Sequence, residues 1–171
     1  VAVPLKRPLP AHADATVNRA LREGDREKAL NGEAAAVPIC ADDLMTCQGC
    51  NWLNDEIING HLQLQTAQYN TGGGGKAHAF NTFFMTKLQK NGHEGVARWT
   101  KSVNLFDCRH VLVPVHLGNH WTLVVVDNDA DLVSYYDGLG GRNDLVLRHM
   151  LDYLHAEALA KRVPPRSYKT E

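Results

Sequence analysis

Three runs rich in β-branched and aromatic residues constrain the fold most: "HVLVPVHL" (110–117), "WTLVVVD" (121–127) and "LVSYYD" (132–137). Only short polar segments separate them, the second being the turn "NDAD". Consecutive strands joined so briefly must pair antiparallel, because a parallel pair needs a crossover of a dozen or more residues. A three-stranded antiparallel core is therefore expected near the middle of the chain.

Helical patterns surround it. In "NWLNDEIINGHLQLQTAQY" (51–69), Asn51 or Asn54 can cap, and Asp55 and Glu56 suit the positive start of a helix. Leu53, Ile57, Ile58, Leu62 and Leu64 then form an approximate apolar stripe, although Gly60 lowers the intrinsic stability. The tract "NTGGGGKAHAF" (70–80) breaks this helix, and "NTFFMTKLQKNG" with Phe83, Phe84 and Leu88 predicts another. In "NDLVLRHMLDYLHAEALAKR" (143–162), Asn143 caps, Leu147, Met150, Leu151, Leu154 and Ala158 repeat at helical spacing, and Pro164 and Pro165 follow the end.

Residues 1–13 hold three of the seven prolines and are expected to form an extended arm. From Asp14 onward, read as a capping residue, Val17, Ala20 and Leu21 share one face up to a break at Gly24. With 171 residues, 44% of them hydrophobic, residues 14–171 fit a single α+β domain.

A net charge of −1 leaves little to gain from nucleic acid or an anionic membrane, so neither is an expected partner. No apolar run approaches the roughly 18 residues of a membrane span, and the chain reads as intracellular. Four cysteines, Cys40, Cys47, Cys50 and Cys108, are too few for a disulfide scaffold at this length.

If residues 121–127 and 132–137 form a hairpin, His120 and Asp137 lie at the same edge of the sheet. An Asp so placed accepts a hydrogen bond from one imidazole nitrogen and leaves the other to take a proton from a nucleophile. On this pattern alone, an exposed His beside a turn Asp fits as well.

Other strings fail as sites. "CQGCNW" (47–52) has zinc spacing at Cys47 and Cys50, yet no second ligand pair follows. Its likeness to the surroundings of a papain nucleophile is superficial, since such signatures do not transfer between families. "DNDAD" (127–131) starts like a calcium loop but has Leu132 at the turn-glycine position and Gly138 at the bidentate-Glu position. "GGGGKA" (72–77) lacks the first Gly and the hydroxyl residue of a phosphate loop. Cys108, just before a strand, reads as a buried structural thiol.

The blocks "WLNDEIIN" (52–59), "FFMTKL" (83–88), "VLVPVHLGNHWTLVVVD" (111–127) and "YYDGLGG" (135–141) together resemble the ubiquitin-like-protein-specific cysteine proteases, the SUMO/sentrin-specific family. "PICADDLMTC" (38–47) resembles the segment leading into the first block, so the likeness runs from about residue 38 to about 160. It implies a papain-like α+β fold, a central, mostly antiparallel sheet flanked by helices, of which this chain supplies the N-terminal and middle portion. It also implies that His120 is the catalytic His and Asp137 the acid that orients it. Trp52 and Trp121 match the two tryptophans that enclose the substrate's Gly-Gly tail, while Asn54 and Asp55 match positions that help bind the ubiquitin-like body. A narrow passage between indole faces admits Gly-Gly and rejects larger side chains.

The family's nucleophile is a Cys in a Gln-(several)-Asp-Cys-Gly block after the helix that here ends near Arg162. None of the four cysteines matches it, nor does any residue match the upstream oxyanion Gln, so the resemblance places both outside residues 1–171. Gly60 and His61 replace an aromatic usual in the family, and Asn119 and Gly138 are milder departures. The expected function is a SUMO-specific thiol protease, a monomer without metal or cofactor, in the nucleus by family implication, cleaving after Gly-Gly in precursors and lysine conjugates. A relative acting on NEDD8 would share the dyad, and a non-catalytic module holding a ubiquitin-like tail would need no nucleophile.

Overall fold

The computed structural model describes residues 10–23, 29–30 and 36–171. Most of the expected N-terminal arm and the break at Gly24 lie outside them. The chain divides into two compact units, Val1–Gly60 and His61–Glu171.

In the first unit, α1 spans Ala11–Glu23 and so begins three residues before Asp14. The expected arm is corrected at residues 11–13. Pro10 sets this start, its carbonyl accepting from the amides of Ala13 and Asp14, and a proline at a helix entrance forfeits no internal bond. Asp14 thus falls in the first turn, where its charge suits the helix dipole. A short α2, Ala41–Met45, follows. The Asp43 carboxylate accepts from the Cys40 amide at 2.8 Å and from Asn54 Nδ2 at 2.7 Å.

The helix α3, Asp55–Thr71, starts in the first unit and continues into the second. Asn54 is its cap, Oδ1 accepting from the Ile57 amide at 3.1 Å. Asn51 instead donates its side-chain amide to the Met45 carbonyl. None of the 17 residues of α3 is fully buried: Ile57, Ile58 and Leu62 are half-covered, and Leu64 is exposed. Gly60 has a packing reason, since a Cβ there would stand 3.3 Å from Ile39 Cδ1.

The second unit is built on a five-stranded sheet in the order β1-β2-β3-β4-β5: Ala77–Ala79, His110–His116, Trp121–Asp127, Leu132–Tyr136 and Lys169–Thr170. The three long strands run antiparallel, as their short connections require, and a short strand adds in parallel at each edge. These edge strands are too short, and β1 too close to the glycine tract, for a periodic signal. Pro114 sits within β2 at little cost. Its register opposite Leu123 points its nitrogen away from β3, on the side where β1 has already ended at Ala79, opposite Leu112.

Alternation places Val111, Val113, Val115, Val124, Val126 and Val133 on one face, all essentially inaccessible. Against that face pack α4 (Phe84–Val96) and α5 (Asp144–Lys161). They contribute Phe84, Met85, Leu88, Leu147, Met150, Tyr153 and Leu154 to the same core. Each such side chain stabilises the fold by roughly 1.5–3 kcal/mol through burial alone. Phe80 stacks on Phe84 with centroids 3.6 Å apart, and Tyr153 meets Phe84 edge-on at 5.0 Å. Phe83, read with Phe84 and Leu88 as part of this helix, is its N-cap and is exposed.

Among the described residues, one carboxylate lies inside this core. Glu157 of α5 is 1% accessible. It accepts from Thr100 Oγ1 at 2.6 Å and pairs with His93 Nε2 at 2.7 Å, while Lys161 Nζ stands 4.0 Å away. His93 follows Gly92, whose positive φ of 62° breaks the regular path of α4. Asn143 caps α5 by accepting from the Val146 amide, and Arg162, in the left-handed conformation, ends it. Among the described residues no helix is long and apolar enough to cross a membrane.

Candidate active site

The β2–β3 connection is a two-residue turn, Gly118–Asn119, closed by the Leu117 amide donating to the His120 carbonyl at 2.8 Å. Gly118 has φ +91°, which its lack of a Cβ permits and which suits the twist of a tight hairpin. The turn delivers His120 to the start of β3, one residue before Trp121. Asp137 comes one residue after β4. Extending the β3–β4 register, in which Leu123 faces Tyr136, places His120 and Asp137 as a diagonal pair on one face of the sheet.

Their side chains meet: His120 Nε2 lies 2.5 Å from Asp137 Oδ1, with the two side chains 15% and 8% accessible. Asp137 Oδ1 also accepts from the Leu139 amide at 2.8 Å, and the Asp137 carbonyl accepts from the Gly140 amide. The hydrogen bond from His120 first, and then the amides of Leu139 and Gly141, hold the Asp137 carboxyl below its ordinary value of 3.8 against the opposing pull of desolvation. The site thus contains a carboxylate, fixed by the chain that follows it, engaging Nε2 of an imidazole. That engagement leaves Nδ1 as the basic position of the neutral ring.

The segment after Asp137 carries a determinant that motif reading passes over. A Cβ on Gly141 would run into Asp137 Oδ2, and Gly140 has φ +76°. The glycines of "DGLGG" therefore let the loop fold back against the carboxylate. The signal was legible as a glycine pair close behind an acid at a strand end.

Trp121, the first residue of β3, is half-buried and faces away from the valine core. It is cross-strand partner to His116, whose ring lies 4.3 Å from the indole centroid at 33°. Such a non-hydrogen-bonded pair brings side chains closest across a sheet. Trp52, Asn54 and Asp55 belong to the first unit. Trp52 is 62% accessible, and Asp55 opens the first turn of α3. Asn54 engages both side-chain atoms locally, Oδ1 in the cap and Nδ2 on Asp43, so its clearest role here is to fix the chain around Trp52.

Cys108 does not reach the dyad. It is buried, its thiol 3.7 Å from the Asn104 carbonyl and pushed up in pKa chiefly by that burial. It precedes β2 at the end opposite the Gly118 turn, and seven strand residues at about 3.3 Å each separate the two ends by roughly 20 Å. Among the described residues no cluster of His, Cys, Asp and Glu could hold a metal ion.

Residues 51–170 match the Ulp1 protease family, C-terminal catalytic domain. A Sentrin-specific protease of Caenorhabditis elegans is 43% identical over 155 residues, which make up 90% of this chain and 22% of that protein. Sentrin-specific protease 2 of Mus musculus is 38% identical over 146 residues, 85% of this chain and 25% of that protein. This chain thus spans about a quarter of the length of these curated relatives. Among solved structures, the SUMO protease Ulp1 with its catalytic cysteine oxidised to a sulfinic acid superposes at TM-score 0.78 and 26% identity, over 96% of this chain and 74% of that one. The C-terminal Ulp1 protease domain in complex with SMT3, the yeast orthologue of SUMO, gives TM-score 0.77 and 25% identity over 98% and 75%. Taken with the α+β architecture and the paired His and Asp at the sheet edge, these matches establish that the chain belongs to the Ulp1 protease family, C-terminal catalytic domain.

Proposed function

We propose that this chain forms the His–Asp side and part of the substrate-binding side of a SUMO-directed thiol protease. The observation that carries the reading is the bond from His120 Nε2 to Asp137 Oδ1. With Nε2 so engaged, Nδ1 is the atom that takes the proton of a cysteine thiol and later returns it to the leaving amine. Asp137 fixes the ring and stabilises the imidazolium formed in between. The thiolate attacks the carbonyl after Gly-Gly, and water resolves the thioester, releasing either a precursor tail or a lysine amine. Trp121 and Trp52 bind the Gly-Gly tail, and Asn54 and Asp55 support contact with the body of the modifier. Support for SUMO as the substrate comes from the names of the relatives and from the complex of Ulp1 with SMT3.

The test is a SUMO carrying an electrophile in place of its C-terminal carboxylate. It should label the full-length protein containing this chain, and His120→Ala should abolish the labelling. A polypeptide of residues 1–171 alone should stay unlabelled. Labelling of that polypeptide at Cys47, Cys50 or Cys108 would overturn the assignment, as would equal labelling of the full-length protein by a NEDD8 probe.

A further inference from the structure

The "CQGC" string has no place in the protease chemistry, yet its surroundings set it apart from the other thiols. All four cysteines are free. Cys108 is enclosed and Cys40 half-covered, whereas Cys47 and Cys50 are both exposed and separated by two residues. The chain between Met45 and Asn51 is folded back on itself. The Met45 carbonyl accepts from the Gln48 amide at 3.1 Å and from Asn51 Nδ2 at 3.0 Å, and the Gln48 carbonyl accepts from the Asn51 amide at 3.2 Å. Gly49, with φ +59° and nothing within 4 Å of a built Cβ, supplies the left-handed residue between the two cysteines.

We infer that Cys47 and Cys50 are a redox-modification site, closing reversibly to an intramolecular disulfide immediately before Trp52. The hydrogen-bonded turns 45–48 and 48–51 meet at Gln48, between the two cysteines, and three residues of chain span at most about 10 Å even when extended. A disulfide needs about 4.4–6.8 Å between Cα atoms, a separation that tightening of the segment around Gly49 supplies. The open space around Gly49 leaves room for that movement. The oxidant is a low-molecular-weight disulfide such as glutathione disulfide. One thiolate attacks it, forming a mixed disulfide and releasing one glutathione thiol. The second thiolate then attacks the protein sulfur of that mixed disulfide and releases the second glutathione thiol. Two protein thiols are oxidised and one glutathione disulfide is reduced.

Exposure and proximity make the reaction selective, because burial keeps Cys108 from the oxidant. The ring tightens the segment that carries Asn51 and leads to Trp52. Any effect on tail binding rests on the function proposed above, but the disulfide itself does not.

The experiment is incubation of the full chain with glutathione disulfide, followed by alkylation, intact mass and peptide mapping. The expected product is a monomer lighter by two hydrogens, with Cys47 joined to Cys50, Cys40 and Cys108 still alkylatable, and full reversal by dithiothreitol. Cys50→Ser should instead stop at a glutathione adduct on Cys47. Persistent glutathione adducts on both wild-type cysteines, a covalent dimer, a bridge to Cys40, or no reaction at either residue would each overturn the inference. None of these outcomes bears on whether the protein cleaves a SUMO tail, so the two readings fail separately.

Discussion

Asp137 Oδ1 holds the imidazole of His120 from 2.5 Å, and the same oxygen receives the amide of Leu139 at 2.8 Å. The carboxylate is itself anchored and therefore orients the ring rather than following it. Asp137→Asn keeps the size of the side chain but presents an amide that can turn either its oxygen or its nitrogen toward Nε2. In the full-length protein, turnover of a SUMO precursor should fall by at least about 10²-fold, toward the roughly 10⁴-fold loss that a wrongly fixed tautomer causes in a serine-protease triad. Far-ultraviolet circular dichroism should be unchanged. Wild-type turnover in this variant would remove Asp137 from the mechanism.

The depressed pKa of Asp137 has a definite sign in stability. A carboxyl whose folded pKa lies below its unfolded value of 3.8 contributes stability above that value, and the contribution is lost as pH falls through the folded pKa. The wild type should therefore lose stability on acidification below about pH 4 more steeply than Asp137→Asn, which has no proton to take up at this position. Urea unfolding of the two proteins between pH 3 and pH 7 measures the difference. Parallel curves would show that the His120 and Leu139 bonds do not favour the charged form.

Gly141→Ala should mimic the loss of Asp137 without touching it. The added methyl collides with Oδ2, so either the carboxylate turns away from His120 or the loop moves back. Turnover should drop at least about tenfold, with unfolding shifted by no more than about 1 kcal/mol, since the loop lies outside the core. Gly138→Ala is the control: nothing stands within 4 Å of its Cβ and its backbone needs no positive φ, so its activity should remain. Equal behaviour of the two variants would discard the steric argument.

The parts of the structure legible in the sequence are those with a strong local period or a cap. The three long strands, α5 with Asn143 as its cap, and the meeting of His120 with Asp137 all follow from alternation, helical spacing and strand direction. What escaped depends on partners distant in sequence. β5 exists because Lys169 and Thr170 find the edge of β4, and nothing in a two-residue strand announces that edge. Glu157 sits among helix residues and reads as a solvent-facing charge. Only the fold brings His93 and Thr100, 64 and 57 residues away, onto its carboxylate.

That buried carboxylate predicts a large stability effect remote from the dyad. Glu157→Ala removes an acceptor from buried Thr100 and from His93 and leaves a cavity between α4 and α5. It should destabilise the chain by about 3 kcal/mol, within the range for breaking a buried pair. Glu157→Gln, which retains one acceptor, should cost less. Urea midpoints at constant m-value measure both, and a change within about 0.5 kcal/mol for Glu157→Ala would show that the cluster adds nothing to stability.

Trp121 offers the sharpest separation of binding from folding. Its indole lies on the sheet face opposite the valine core, braced by His116 across the strand pair, and is not among the core residues. Trp121→Ala should therefore leave cooperative unfolding in place. In the full-length protein it should lower kcat/KM for a SUMO precursor by about tenfold or more, equivalent to about 1.4 kcal/mol of lost transition-state stabilisation. On the proposed role of the indole as a flat surface for the Gly-Gly tail, Trp121→Phe should recover part of the loss. His116→Ala, which removes the brace but not the indole, should have a smaller effect. Normal turnover by Trp121→Ala would take this residue out of the tail site, and global unfolding of the variant would return it to a structural role in the sheet.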